Sequence, residues 1–276
     1  MKYFNTLPFY FFAVLLIGTH LQASASTDPD WEAFVKSYGR YTEKKLKIKK
    51  IPGGALSIVN SQARDYIHTM GNTKVRGGQK INPHTRFRLA SVSKTFAGSL
   101  AAKLANEQRL NLYLPVSYYL PDFKQTDYKD DLKVFHILSH SSGLVPNAYD
   151  NLIESRMGYK DIVEKLLSVK PICDPGDCYG YQNVMFSLID DVILKSTNKT
   201  YTQWLNEAFF TPLEMNDASL GYDAMVQDNN YAHPHVRGKK RWYSARLKKN
   251  YYKVAPAAGV NASASDMAIW LNAQLG

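Results

Sequence analysis

Apolar residues follow two different spacings near the start of this chain. Residues 31–38 place apolar side chains at i, i+3, i+4 and i+7, which predicts a helix with one apolar face. Residues 55–59 and 66–70 are short apolar runs joined by a polar stretch, and this pattern predicts a β-hairpin. A lysine-rich segment and a Pro-Gly-Gly break at residues 52–54 separate the helix from the hairpin.

Helical spacing returns at Ser91 and dominates the rest of the chain. Apolar residues between Phe96 and Leu104 form one stripe along the first of these helices. Residues 252–255 are predicted to be extended. The further predicted helices cover residues 134–139, 162–167, 184–194, 204–210 and 265–275.

This order of elements predicts a mixed α+β fold that contains an antiparallel hairpin. A hairpin alone is only marginally stable in water, because an independent sheet needs three or more strands. Either the sheet is small, or its remaining strands lie beyond residue 276. We find no internal repeat and no low-complexity segment in the sequence.

Composition narrows the class of protein. The 276 residues are 45% apolar and 21% charged, which is typical of a globular chain of one large or two modest domains. Two cysteines are too few for a disulfide scaffold or a four-cysteine zinc site. No apolar run reaches the ~18 residues that span a bilayer. The net charge of +10 suits a partner that carries negative charge.

The first 25 residues have the pattern of a secretory signal peptide. Lys2 precedes an apolar run at residues 9–18, and Ala23-Ser24-Ala25 forms a small-residue cleavage site. We therefore expect a periplasmic protein without a stable membrane anchor, since no cysteine for a lipid lies near the cut. Export argues against nucleic acid as a partner. It also allows Cys173 and Cys178 to form a disulfide, because the compartment is oxidising.

Ser91 and Lys94 open the first strong helix in a Ser-x-x-Lys pattern. Residues at i and i+3 share one helical face, and the helix N-terminus favours negative charge developing at the serine. A lysine buried at this position has a lowered pKa and can accept the serine proton. A second copy, Ser196 to Lys199, ends a helix instead of starting one, so we set it aside.

The surroundings of Ser91 resemble a known family. Residues 87–96 (FRLASVSKTF) are similar to the nucleophile segment of the serine β-lactamase and penicillin-binding-protein superfamily, most closely its class C branch. Three further blocks follow in the order of that family, so the resemblance runs from about residue 31 to the end of the chain. These blocks are residues 104–112 (LANEQRLNL), 136–144 (HILSHSSGL) and 256–267 (PAAGV…SDM).

The family's second motif, Tyr-x-Asn, has two candidates here, which begin at Tyr149 and at Tyr181. Only Tyr181 follows a Pro-Gly turn and leads into an apolar helix, as in the family. The resemblance then implies that Tyr181, acidified by Lys94, is the general base and later the acid. It implies that Asn183 binds Lys94 and the substrate amide. A looser match places Asn147 at a substrate-binding position of the class C branch.

The family's third motif, Lys-Thr-Gly or a close variant, is not found after Tyr181. We therefore expect a C-terminally truncated member that lacks one oxyanion donor. Such a loss costs ~10²–10³ in rate, so the chain as given is expected to be weakly active or inactive, although its family is one of enzymes. The implied fold is an α/β sandwich with an antiparallel sheet flanked by helices, incomplete in this chain. The sheet lobe would comprise residues 26–88 and 205–276, and an inserted all-helical lobe residues 89–204.

The resemblance implies a serine hydrolase that opens β-lactam rings through an acyl-enzyme on Ser91, without a metal or an organic cofactor. The alternatives are a D-Ala-D-Ala carboxypeptidase or penicillin-binding protein, acting on peptidoglycan peptides, and an esterase. A different class is a non-catalytic protein that binds the cell wall. Residues 237–253 contain eight basic residues and no acidic one. This stretch suits a basic rim that attracts carboxylate-bearing substrates or an anionic wall polymer, or it forms a solvated hairpin. His136 and His140 have a spacing that can bind metal, but a structural role is the favoured interpretation.

Overall fold

The computed structural model describes residues 28–62, 64–123 and 131–276. The predicted signal peptide, residues 1–25, lies outside the described residues. The helices are α1 (Pro29–Ile48), α2 (Ser93–Asn106), α3 (Val116–Tyr119), α4 (Val134–Leu138), α5 (Asp150–Ile153), α6 (Tyr159–Leu166), α7 (Asn183–Thr197), α8 (Tyr201–Leu205), α9 (Tyr222–Val226), α10 (Ala255–Ala258) and α11 (Ala264–Leu275). The strands are β1 (Gly53–Val59), β2 (Asp65–Gly71), β3 (Phe87–Arg88), β4 (Ser219–Leu220), β5 (His235–Arg237), β6 (Trp242–Ser244) and β7 (Val260–Ala262).

The predicted hairpin is confirmed. Strands β1 and β2 pair antiparallel, from Gly53 opposite Gly71 to Val59 opposite Asp65. Gly71 has a positive φ of 75°, and a side chain there would collide with the Pro52 carbonyl, so the hairpin ends on a glycine. Helix α11 packs against both strands, and α1 also contacts them.

Two further small sheets lie in the described part of the chain. Strand β7 is the centre of a three-stranded antiparallel sheet, with β3 on one side and β4 on the other. Strands β5 and β6 form a separate antiparallel hairpin. The predicted mixed fold with antiparallel sheets is therefore confirmed.

The main core is helical and centres on α2 and α7. Helix α7 is apolar on nearly all sides, and most of its residues are buried. The ring of Phe96 on α2 stacks on Trp270 of α11 with the ring centroids 4.0 Å apart, which ties the helices to the sheet side. Helix α10 packs against both α2 and α7, and this contact brings the Ala257 carbonyl to the site described below.

The helices predicted from apolar spacing are present. The prediction of an extended segment at residues 252–255 is wrong. Residues Asn250–Lys253 form a 3₁₀ turn and α10 follows at once. Lys253 explains the difference, since its ammonium group donates to three backbone carbonyls at the end of α5 and beyond, with distances of 2.7–3.3 Å. Pro256 then occupies the first turn of α10, where its missing N–H costs no hydrogen bond. These contacts lie almost 100 residues away in sequence, so local spacing carries no trace of them.

Two other sequence-based expectations have different outcomes. The predicted helix at 204–210 continues from α8 as a single π-helical turn, Asn206–Phe210. The division into a sheet lobe and an inserted helical lobe stays a prediction.

Among the described residues, no helix combines the length and the apolar character needed to cross a membrane.

Candidate active site

The turn between β3 and α2 presents Ser91 to solvent. A 3₁₀ turn, Ala90–Val92, connects the strand to the helix, and Ser91 is exposed on it. Ala90 has a φ of 49°, in the left-handed region that costs an L-residue roughly 1–2 kcal/mol. Backbone strain of this kind is concentrated at functional sites. The turn therefore marks Ser91 as the accessible hydroxyl of this segment.

The other serines of the two Ser-x-x-Lys patterns are engaged elsewhere. Ser93 is fully buried, and its Oγ accepts a hydrogen bond of 3.0 Å from the Val260 N–H. Ser196 lies in the last turn of α7 and donates to the Ile193 carbonyl at 3.2 Å. Of these three hydroxyls, Ser91 is the one that the Tyr181 hydroxyl contacts.

Lys94 is half-buried next to Ser91 and is held at several points. Its Nζ donates to Asn183 Oδ1 at 2.8 Å and to the Ala257 carbonyl at 3.1 Å. The same Nζ lies 4.6 Å from the ring centroid of Tyr181 and 5.3 Å from that of Phe186. Burial lowers the pKa of Lys94, and the Tyr181 hydroxyl and the Asp150 carboxylate partly offset this decrease. A larger fraction of this lysine is therefore neutral, and able to accept a proton, than of a lysine in water.

The Tyr181 hydroxyl reaches the serine. Its Oη donates to Ser91 Oγ at 2.8 Å, so the two side chains are already within proton-transfer distance. The Tyr181 carbonyl accepts a hydrogen bond of 2.7 Å from the Asn147 N–H, which ties the tyrosine to the preceding loop. Tyr149, the rejected alternative, packs against the apolar core.

Asn183 links Lys94 to a residue that the sequence analysis missed. Its Nδ2 donates to Asp150 Oδ2 at 2.8 Å, so one amide joins a carboxylate on α5 to the lysine. Burial raises the pKa of Asp150, while the Asn183 hydrogen bond and the Lys94 charge oppose this rise. Asp150 belongs to the rejected Tyr-Asp-Asn segment, and an acidic residue at the start of a short helix was its only sequence signal.

The two predicted substrate-binding residues have different surroundings. Asn183 is buried and its amide already contacts Lys94 and Asp150, whereas the prediction also assigned it a substrate contact. Asn147 is exposed, with a left-handed φ of 57° that asparagine tolerates, and only its backbone N–H is seen to contact Tyr181. A contact between either residue and substrate stays a prediction.

A family model described as Beta-lactamase matches residues 39–276. The chain belongs to the beta-lactamase family. The resemblance to the serine β-lactamase and penicillin-binding-protein superfamily is thereby confirmed, and members of this family are serine hydrolases.

Individual relatives are distant and longer. Protein flp of Staphylococcus aureus (strain MRSA252) is 25% identical over 240 residues, which cover 84% of this chain and 47% of that protein. A beta-lactamase of Escherichia coli (strain K12) is 25% identical over 230 residues, which cover 83% of this chain and 58% of the relative. The chain therefore spans about half the length of these curated relatives.

Solved structures share the fold at low identity. The octameric penicillin-binding protein homologue from Pyrococcus abyssi superposes with a TM-score of 0.76 at 21% identity, covering 86% of this chain and 55% of that one. A class C beta-lactamase superposes with a TM-score of 0.69 at 24% identity, covering 83% of this chain and 61% of that one. At these identities the likeness concerns the fold.

In this beta-lactamase-family chain, a braced loop carries Tyr181 into the site. Cys173 and Cys178 form a disulfide immediately before it. The same loop is bonded to the 136–144 block, since Gly180 N–H donates to the His140 carbonyl at 2.8 Å. Gly143 has a φ of 83°, and a side chain there would lie 2.2 Å from the Cys173 carbonyl. Only glycine therefore allows this close approach of the two segments.

Neutral His140 supports the chain next to Tyr181 and packs against its ring. The Nδ1 of His140 accepts a hydrogen bond of 3.2 Å from the Gln182 N–H, and its ring centroid lies 4.4 Å from that of Tyr181. Burial and, to a smaller extent, the Lys94 charge lower the pKa of His140 to about 4. His136 Nδ1 similarly accepts from the Lys133 N–H at 3.1 Å. Both Nδ1 atoms therefore serve the structure, and among the described residues no group of three or more metal-ligating side chains occurs.

Replacing His140 by asparagine will reduce the loss of stability in acid. Between the pKa of about 4 in the folded protein and the ordinary 6.5, the unfolded chain binds more protons at this position. Stability is therefore lost as the pH falls through this window, by about 3 kcal/mol for a shift of this size. Denaturant unfolding at pH 7.0 and 4.5 measures the difference for both proteins.

Asparagine is a suitable replacement, because its Oδ1 can accept the Gln182 N–H and it tolerates the φ of 59° at position 140. His136 also has a pKa lowered by burial and remains in both proteins, so it cancels in the comparison. An equal loss of stability in acid for the wild type and His140→Asn would contradict the prediction.

Proposed function

We propose that this protein is a periplasmic serine hydrolase that opens β-lactam rings through a Ser91 acyl-enzyme. The observation that carries the proposal is the 2.8 Å hydrogen bond between Tyr181 Oη and Ser91 Oγ, with the half-buried Lys94 beneath the tyrosine ring. The nucleophile comes from a 3₁₀ turn, the lysine from α2 and the tyrosine from a braced loop, and the family supplies the reaction class.

Acylation begins with attack of Ser91 Oγ on the lactam carbonyl carbon. The serine proton passes to the Tyr181–Lys94 pair, where burial lowers the pKa of Lys94 so that more of its amine is neutral and able to take up the proton. A bond forms between Oγ and the carbonyl carbon, the lactam C–N bond breaks, and the leaving nitrogen receives the proton. Water then attacks the ester, with the same pair accepting its proton, and Ser91 is regenerated.

Asn183 and Asp150 position the lysine in this scheme. The amide oxygen of Asn183 receives one Lys94 N–H, and the Ala257 carbonyl receives another. The Asp150 carboxylate fixes the orientation of the Asn183 amide, since its oxygen accepts from Nδ2. Lys94 is thereby kept against the ring of Tyr181 without a direct ion pair that would restore its ordinary pKa.

Intact protein mass over time after addition of benzylpenicillin tests the proposal on the full chain. We expect an adduct of the mass of the drug that appears within minutes and clears as the drug is consumed. An adduct that persists would instead assign a penicillin-binding protein that acylates without release. A folded chain that shows no adduct at any time would contradict the hydrolase and favour a non-catalytic protein that binds the cell wall.

A further inference from the structure

The turn of the β5–β6 hairpin carries dense positive charge. Arg237, Lys239, Lys240 and Arg241 are all exposed there. No acidic residue occurs in the sequence between Asp228 and Asp266. The charge is therefore not balanced along this stretch of chain.

The fold adds a second basic segment to the hairpin. The Val75 N–H donates to His235 Nε2 at 3.2 Å, which joins the loop after β2 to β5 although the two are 160 residues apart. A cleft of about 340 Å³ lies between them. We call it the basic cleft, and it is lined by Lys74, Val75, Arg76, Arg241, Trp242, Tyr243 and Ser244. Its lining contains three cations and no carboxylate.

Aromatic rings brace two arginines, one in the lining of the cleft and one on the adjoining hairpin. The Arg237 guanidinium lies 5.8 Å from the ring centroid of Trp242, its cross-strand partner, and Arg241 lies 4.9 Å from that of Tyr243. The Trp242 indole N–H donates to the Lys49 carbonyl at 3.2 Å, which anchors one of the rings. A guanidinium held on a ring loses less conformational freedom when it binds an anion.

The braced cations have no acidic partner in the described part of the chain. Among the ion pairs of the described residues, none involves the cations of the basic cleft or of the hairpin turn. By contrast, Lys249, just after the hairpin, pairs with Asp223 at 2.9 Å. The unpaired set consists of Lys74, Arg76, Arg237, Lys239, Lys240 and Arg241.

We propose that the basic cleft and the adjoining hairpin turn bind a linear polymer of phosphate groups. An arginine fork matches two phosphate oxygens, and several separate cations match a repeating charge better than a single anion. Guanidinium groups cover one face of both aromatic rings, which disfavours the base stacking that single-stranded nucleic acid uses. A concave lining fits a chain of phosphates better than the flat surface of a lipid bilayer.

Titration of the full chain with inorganic polyphosphate at several salt concentrations tests this proposal. The variant Arg237→Gln/Arg241→Gln will bind more than ~10-fold more weakly, since charge-assisted hydrogen bonds are lost. The slope of log affinity against log salt concentration will also be less steep for this variant, by roughly 1–2 for two lost phosphate contacts. The matched control, Lys165→Gln/Lys170→Gln, removes the same charge from exposed positions on and after α6 and will change the affinity less than about two-fold.

Equal weakening in the two double variants would overturn the proposal, because it would show attraction to net charge alone. Tighter binding of polygalacturonate, oligothymidylate or phosphatidylglycerol vesicles than of polyphosphate would also overturn it, in favour of a carboxylate polymer, a nucleic acid or a membrane surface. Acylation by benzylpenicillin will be unchanged in Arg237→Gln/Arg241→Gln, so the cleft and the Ser91 site are tested separately.

Discussion

Replacement of Ser91 by alanine will abolish covalent labelling by benzylpenicillin. Ser91 Oγ is the atom that bonds to the acyl group in the proposed reaction, and alanine leaves no nucleophile at that position. We expect the intact mass to stay that of the unmodified chain at every time point. Hydrolysis of the drug will fall to the uncatalysed rate, a loss of at least ~10³-fold.

Ser196→Ala is the matched control for this change. Ser196 begins the second Ser-x-x-Lys pattern, and its hydroxyl donates to the α7 carbonyl of Ile193. Labelling of Ser196→Ala will equal that of the wild type. Labelling that survives in Ser91→Ala would remove Ser91 from the mechanism. Loss in both variants would point to a folding defect, which unfolding curves of the two proteins detect.

Tyr181→Phe will slow acylation by ~10²–10⁴-fold while leaving the fold intact, which is the usual size of a lost general acid–base group. The substitution removes the hydroxyl that lies 2.8 Å from Ser91 Oγ and keeps the ring beside Lys94 and His140. Stopped-flow measurement of penicillin acylation gives the rate. The midpoint of denaturant unfolding will change little, because only one hydrogen bond is lost.

Tyr179→Phe makes the same chemical change two residues earlier in the loop. Tyr179 is 69% exposed and contacts His140 only through its ring, so its acylation rate will stay within about two-fold of the wild type. If Tyr181→Phe acylates as fast as Tyr179→Phe, Lys94 alone accepts the serine proton and Tyr181 has no part in it.

The sequence was sufficient for elements whose causes are local. The β1–β2 hairpin follows from two apolar runs and the glycine that ends them, and it occurs where the pattern placed it. The helix from Ser93 follows from a stripe of apolar residues that are all buried in the structure. The segment at residues 252–255 was wrong because Lys253 forms its contacts with chain about 100 residues earlier.

The residues of the candidate site also fall into those that local sequence predicts and those that only packing reveals. The order Ser-x-x-Lys, with its flanking blocks, identified the family and placed Ser91 at the entrance to a helix, because neighbours in a helix are also neighbours in sequence. The choice of Tyr181 over Tyr149 rested on the turn before it. The sequence analysis missed Asp150, because its carboxylate reaches Asn183 only through the packing of α5 near α7.

The sequence by itself determined the family, most of the elements and the candidate residues Ser91, Lys94, Tyr181 and Asn183. Only the tertiary structure showed how these groups meet, since 89 residues separate Lys94 from Asn183 and 90 separate Ser91 from Tyr181. It also decided the pKa directions, because burial and neighbouring charge arise only when distant segments pack together. The basic cleft has the same origin, as its two sides come from the loop after β2 and the β5–β6 hairpin.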